Sequence, residues 1–384
     1  MSHTELRNPA HGDADNNRPY EHAPGLLAEA FAWLNAPVAP PDDSARQSAL
    51  LRQGELTKPA GSLGRLETLA VDFAGWQGRS LPSLEHCMIR VFAGDHGIVA
   101  EGVSRFPQDV TAQMITNFIH GGAAISVLAQ QWQADFAVVS LGTVVPVPAE
   151  LAGHPRLRQL HLAAGTGNIC ETEAMDALTL ARALRAGADE IDSADTLQLF
   201  IGGEMGIGNT AVSAALASQL LDLSPEETVG RGTGVDDEGL SRKRIAVRRA
   251  LDRHRAACDS PLEALRRLGG LEIAALTGAY LRAAQRGVPS LVDGFIATTA
   301  ALLAWGINPP VRDWLLFAHR CAEPGHRHLL EALGAEPLLD LQMRLGEGSG
   351  AAVALPLLQS ALTVHAGMAT FAEAAICAGS PTHD

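Results

Sequence analysis

Two glutamates stand among glycines in this chain, and both have the surroundings of reactive groups. Glu204 lies in Gly202-Gly203-Glu204-Met205-Gly206-Ile207-Gly208-Asn209, and Glu347 in Leu345-Gly346-Glu347-Gly348-Ser349-Gly350. Glycine lets a ligand approach the backbone closely, and a carboxylate in such a setting can take a proton or face a developing positive charge. The plain alternatives are a tight turn for the first segment and, for the second, a loop in which Glu347 caps the following helix. The run from Thr196 to Leu221 reads as an apolar strand, a glycine turn containing Glu204, and a small-residue helix from about Thr210. That layout aims backbone N–H groups at a phosphate. It is not a Walker A loop, because G-K-[ST] is missing, and the G-x-G-x-x-G register of dinucleotide folds is missing too. An anion site beside a carboxylate suits a phosphorylated substrate whose reacting part becomes positively charged. Gly203, Gly206 and Asn209 are the candidates for its nucleotide contacts.

Three further groups carry polar chemistry. Lys243, in Ser241-Arg242-Lys243-Arg244 after the glycine loop Val229–Glu238, is a candidate phosphate partner, although spacing alone does not single it out. A solvated basic helix is the plain reading of its neighbours Arg248 and Arg249. His319, Glu323 and His326 have near-metal spacing, but Pro324 and Gly325 are expected to break the helix that would align them. A substrate-positioning loop is the better reading, and no metal is assigned. Asp95-His96, following a strand, is either an acid/base pair or a satisfied turn, and both stay open.

These groups need elements to hold them. The chain has 384 residues, enough for one large α/β domain and a smaller appendage. A formal net charge of −14 argues against nucleic-acid or anionic-membrane partners, which need a basic face, so a phosphate must be held by local donors. The five cysteines are scattered without a C-x-x-C pair, which fits a reducing cytoplasm. The first residues lack the apolar core of a signal peptide, and no apolar run is read as a membrane span.

Residues 1–24 read as a disordered tail. Helices over 25–35, 44–56 (capped by Asp42, Asp43 or Ser44) and 63–76 precede any strand and form a small helical domain over 25–85. Strands are expected at 86–93, 136–141, 157–162 (irregular), 196–201, 290–293 and 313–318. Helices alternate with them at 107–130, interrupted at Gly121-Gly122, and at 175–186, with Gly187 as the stop. Others follow at 241–257, 271–286, 295–305 and 351–378. The alternation predicts an α/β fold over 86–350, a three-layer, mostly parallel, Rossmann-like sheet with its ligands at the carboxyl ends of the strands. Gly94–Gly97, Gly202–Asn209, Asp293-Gly294 and His319–His326 would then share one rim.

KPAGSLGRLE, FAGDHGIVAEGVSRFPQDVTAQM, GGAAISVLA, GEMGIGNTAVSAAL, GRGTGVDDEGLSRK, LVDGFIATTAALLA, AHRCAEPGH and RLGEGSGAA, in this order from Lys58 to Ala352, resemble the nicotinate-nucleotide–dimethylbenzimidazole phosphoribosyltransferase family. The resemblance implies transfer of 5-phosphoribosyl from nicotinate mononucleotide to 5,6-dimethylbenzimidazole, giving α-ribazole 5′-phosphate and nicotinate with no cofactor. It implies Glu347 as the base, Glu204 as a supporting carboxylate, and Ser104 and Gln113 in the benzimidazole pocket. Gly206 and Lys243 would hold the phosphate, with the His319–His326 loop, including Cys321 and Glu323, closing over the nucleotide. Cys321 stands where the resemblance leads one to expect a small hydroxyl residue. It implies also a homodimer, and a small helical domain built from both chain ends, so that the terminal helix joins it. Transfer to another base, such as adenine or a phenol, and a non-catalytic nucleotide-binding protein are the rival readings.

Overall fold

A computed structural model describes residues 25–232 and 234–377, so the expected tail at 1–24 lies outside the described residues. The chain opens with α1 (Gly25–Ala32), α2 (Asp43–Glu55) and α3 (Arg65–Gln77) before the first strand, β1 (Cys87–Gly94). Then come α4 (Asp109–Ile119), α5 (Ala124–Gln131), β2 (Asp135–Gly142), β3 (Leu157–Gln159), α6 (Ala177–Asp192) and β4 (Leu199–Met205). The second half runs α7 (Asn209–Leu221), α8 (Pro225–Thr228), α9 (Asp237–His254), α10 (Pro261–Leu268), α11 (Leu271–Gln285) and β5 (Ser290–Val292). It ends with α12 (Phe295–Ile307), β6 (Leu315–Phe317), α13 (Pro324–Ala332) and α14 (Ser349–Gly367).

All pairings between the six strands are parallel, in the order β3-β2-β1-β4-β5-β6. The strand order reverses between β1 and β4, and a ligand crevice is expected outside their carboxyl ends. β1 is buried along its whole length, as a central strand covered on both faces must be. Its one charged residue, Arg90, is neutralised by Glu190 at 2.6 Å and Asp135 at 2.7 Å.

Several boundaries differ from the expectation, each for a packing reason. Gly187 does not stop α6; it sits inside the helix, where a Cβ would clash with the carbonyl oxygen of Ala275 on α11. Gly278 of α11 faces the backbone of Leu184 in the same way. These glycines serve a close helix crossing, not a cap. β4 likewise runs past the expected end at Ile201 through Met205, so Gly202, Gly203 and Glu204 are strand residues, not turn residues. A side chain at Gly202 would strike Leu276, and one at Gly203 would strike the backbone of Glu347. Pro324 starts α13 rather than breaking a helix, because proline at the first helical position gives up no hydrogen bond. α10, not foreseen, starts on Ser260, whose hydroxyl accepts from Glu263 N–H, followed by Pro261. Asp42, of the three residues considered, caps α2 by accepting from Ala45 N–H at 2.9 Å.

The terminal helix ends at Gly367 rather than at 378; Met368 is extended, and Thr370 then bridges to Leu56 beside α2. α14 has the length and apolar character to cross a bilayer, yet half of it is buried in this fold, against α3, α5 and β4.

The α6–α11 crossing yields a test. Gly187→Ala gains about 1 kcal/mol of helix propensity. Overpacking against a neighbouring backbone costs typically about 1–3 kcal/mol, and more where the backbone must move. The cost prevails, so the variant should melt below the parent protein; a melting temperature equal to or above the parent's contradicts the crossing.

Candidate active site

A cleft enclosing about 680 Å³, counted out to its open mouth, lies over the carboxyl ends of β4 and β5 beside the reversal of strand order. Its walls come from Glu204–Thr210, Asp293–Ala297, His319–Glu323 and Arg344–Glu347, with Gly232 at one side. Of the residues singled out from the sequence, Glu204, Gly206, Asn209, His319, Cys321, Glu323 and Glu347 all line it. Gly203 lies beneath the Glu347 loop in β4. Ser104 and Gln113 are not among the lining residues: the Ser104 hydroxyl accepts from Phe106 N–H, and Gln113 is exposed on α4. Lys243 lies behind the wall, only 1% exposed, its Nζ donating to Thr210 Oγ1 at 2.7 Å and to the Gly230 carbonyl at 3.1 Å.

The loop that carries Glu347 is unusual in its backbone. Gly346, Glu347 and Gly348 have φ of 84°, 66° and 82°, so a non-glycine residue sits in the left-handed region between two glycines. That conformation is disfavoured and persists only where surrounding contacts over-determine it. Asp293, just after β5, supplies them: Oδ2 accepts from Gly348 N–H at 3.2 Å and Oδ1 from Ala351 N–H at 2.9 Å. Ser349 Oγ adds a bond to the Gly346 carbonyl at 2.7 Å. The start of α14 is therefore capped by Asp293, and Glu347 is not its cap. Among the described residues, Glu347 Oε2 is buried without a hydrogen-bond partner.

The two glutamates differ in environment. Burial pushes the Glu347 carboxyl up to about 7, helped by the charge of Asp293 and opposed by the Ile125 N–H at the start of α5. Burial raises Glu204 well above the usual carboxylate range, and the nearby charges of Glu272 and Asp293 act in the same direction. Asn209 Nδ2 donates to Glu204 Oε2, and the Glu347 backbone N–H also faces the carboxylate. Burial thus raises both carboxyls, each with different neighbours.

At the other side of the cleft, the Gly232 N–H donates to Glu323 Oε1 at 3.0 Å and Arg344 Nη1 donates to the Gly232 carbonyl at 2.8 Å. Burial lowers Lys243 to about 8, partly offset by Glu323. His326 has both ring nitrogens engaged: Cys321 N–H donates to Nδ1 at 2.8 Å, which leaves Nε2 to donate to the Thr298 hydroxyl at 3.0 Å. Burial pushes its pKa down to about 3, so it is a neutral brace for the loop. Cys321 is buried with its thiol raised to about 11, unsuited to nucleophilic attack. Sequence reasoning put Asp293 on the ligand rim without giving it a role, and missed Arg344. Each had a signal: an aspartate ending a strand, and an arginine just before Leu345-Gly346-Glu347.

The raised Glu347 carboxyl has a consequence for stability. Below the ordinary carboxylate pKa the group is protonated whether folded or unfolded, and burial has no charge to oppose. Between that pKa and about 7 the folded protein holds a proton that the unfolded chain releases, so stability is lost across this range and levels off above it. Glu347→Gln removes this titration. Its melting temperature relative to the parent's should climb between about pH 5 and 7 and level off above; a constant difference from about pH 5 to 7 counts against the shift.

Known proteins share both the sequence and the architecture. A family model described as phosphoribosyltransferase matches residues 38–376. A nicotinate-nucleotide–dimethylbenzimidazole phosphoribosyltransferase of Pseudomonas aeruginosa (strain UCBPP-PA14) is 57% identical over 349 residues, 90% of this chain and 98% of that protein. One of the same name from Xanthomonas axonopodis pv. citri (strain 306) is 56% identical, covering 90% and 98%. A crystal structure of the enzyme so named from Thermus thermophilus superposes with a TM-score of 0.81 at 45% identity, covering 88% of this chain and all of that one. With its parallel sheet, its cleft at the strand ends and relatives this similar over nearly their whole length, the chain belongs to the nicotinate-nucleotide–dimethylbenzimidazole phosphoribosyltransferase family.

Proposed function

We propose that this phosphoribosyltransferase moves the 5-phosphoribosyl group of nicotinate mononucleotide to 5,6-dimethylbenzimidazole, in one inverting displacement with Glu347 as the base. The observation that carries the reading is Glu347 itself. It is held at φ 66° on the cleft wall with one carboxylate oxygen unpartnered and a pKa near neutrality. A base works best with its pKa close to the operating pH.

The electron pair of the C1′–N bond goes to the pyridinium nitrogen of the donor, which leaves as neutral nicotinate nitrogen and needs no acid. A benzimidazole nitrogen forms the new bond to C1′ from the opposite face, which turns the β-glycoside into an α-glycoside. The N–H proton of the benzimidazole passes to Glu347. Positive charge builds at C1′ along this path, and carboxylates aimed there stabilise it. Burial and acidic neighbours hold the Glu204 carboxyl up, and a cationic donor beside it would favour the charged form. The 5′-phosphate fits the opposite wall, with the first turn of α7, the Gly232 loop, Arg344 and, behind Thr210, Lys243. Ser104 and Gln113 remain proposed benzimidazole contacts through the family resemblance.

The test is a product assay with both substrates. Glu347→Gln keeps the shape but cannot accept the proton, so kcat should fall by about 10²–10⁴, the usual worth of a general base. In the parent, kcat should rise with pH through about 7 as Glu347 ionises. A folded glutamine variant that turns over normally removes Glu347 from this role. Lys243→Met, which keeps the buried stem, should raise KM for nicotinate mononucleotide and leave KM for the base nearly unchanged. A rise in the base's KM alone would move the phosphate elsewhere.

A further inference from the structure

We propose that Thr111 is a positioning residue for the cleft: its hydroxyl, oriented by Asp95, fixes the Ile207 N–H and with it the turn from β4 into α7. What that turn binds rests on the phosphoribosyl-transfer reading. Thr111 and Asp95 are fully buried, and neither lines the cleft. Thr111 Oγ1 donates to Asp95 Oδ1 at 2.6 Å and accepts from Ile207 N–H at 3.2 Å. A hydroxyl has one proton, and here the carboxylate takes it, so the lone pairs are left to the amide.

Asp95 is anchored in turn. Oδ2 accepts from Val144 N–H at 2.9 Å, its own N–H donates to the Gly142 carbonyl at 3.0 Å, and its carbonyl accepts from Thr166 N–H at 2.9 Å. One carboxylate thus joins the loops after β1 and β2 and, through Thr111, the turn after β4. On the other side of that turn a Cβ at Gly206 would lie 2.9 Å from His96 Nε2, and Glu272 Oε1 holds the same ring nitrogen at 2.8 Å. The turn is gripped between a hydroxyl and an imidazole. Met205, Gly206, Ile207, Asn209 and Thr210 all face the cleft, so a slack turn would misplace whatever they hold.

Thr111→Val keeps the shape and removes the hydroxyl, whereas Thr111→Ser keeps it. With nicotinate mononucleotide and 5,6-dimethylbenzimidazole, valine should raise KM for the nucleotide about tenfold or more. KM for the base should stay within about twofold, and serine should restore both to within about threefold of the parent. Amide hydrogen exchange is a second readout that needs no activity. Residues 205–210 should exchange about tenfold faster in the valine variant, with α6 and α11 unchanged. Parent-like exchange at 205–210, or both KM values moving together, overturns the proposal. A parent protein that transfers no phosphoribosyl group defeats only the functional reading, and the exchange comparison still decides the positioning. Should the valine variant not fold, the parent decides: an Ile207 amide exchanging as fast as an unstructured one overturns the proposal, and a protected one sustains it.

Discussion

The Asp293 carboxylate is the tie on which the rest of the cleft depends. It follows β5 directly, accepts two N–H groups at the start of α14, and so fixes the last long helix to the sheet at the point where Glu347 stands. A carboxylate taking backbone donors at a helix N-terminus is favoured both by hydrogen bonding and by the helix dipole. Here the same bonds hold a left-handed glutamate that would otherwise relax. Gly203 completes the arrangement from below, since any side chain there would push the loop off the strand.

Around that tie the protein gathers several buried carboxylates. Glu204 and Glu347 line the cleft with Asp293, and Glu272 is buried close enough to raise Glu204. Buried like charges are costly, and the charges of Glu272 and Asp293 join burial in holding the Glu204 carboxyl up. Lys243 and Arg344 stand by the Gly232 loop, while Asn209 holds the Glu204 carboxylate. In a chain of net charge −14, the phosphate proposed for this cleft relies on such local donors.

Much of this was legible in the sequence because strand and helix periodicities are local. The alternation of apolar runs gave the parallel sheet, and the glycine-rich segments after β4, β5 and β6 all came to one rim. What could not be read were contacts between distant segments. Gly187 looks like a helix stop until α11 lies across it, and Gly202-Gly203 looks like a turn until α11 and the Glu347 loop press on the strand. Pro324 reads as a breaker or a starter depending on where the helix begins. Glu347 and Asp293 are 54 residues apart (347 − 293), so the capping that separates a base from a cap leaves no local mark.

The parallel sheet also sets an order of assembly. β1 must wait for β4, more than a hundred residues later, before its second edge is paired, and β5 and β6 follow in turn. The segment carrying Glu347 is made after every strand, and its conformation depends on contacts with β4 and with Asp293. On the ribosome, at roughly 5–20 residues per second, the sheet can begin to form while its chemistry is still unwritten. Until α14 emerges, the Gly203 face of β4 lacks the Glu347 loop and Asp293 lacks the two N–H groups it accepts from. The contacts that hold the proposed base can therefore form only after the described strands have all been made.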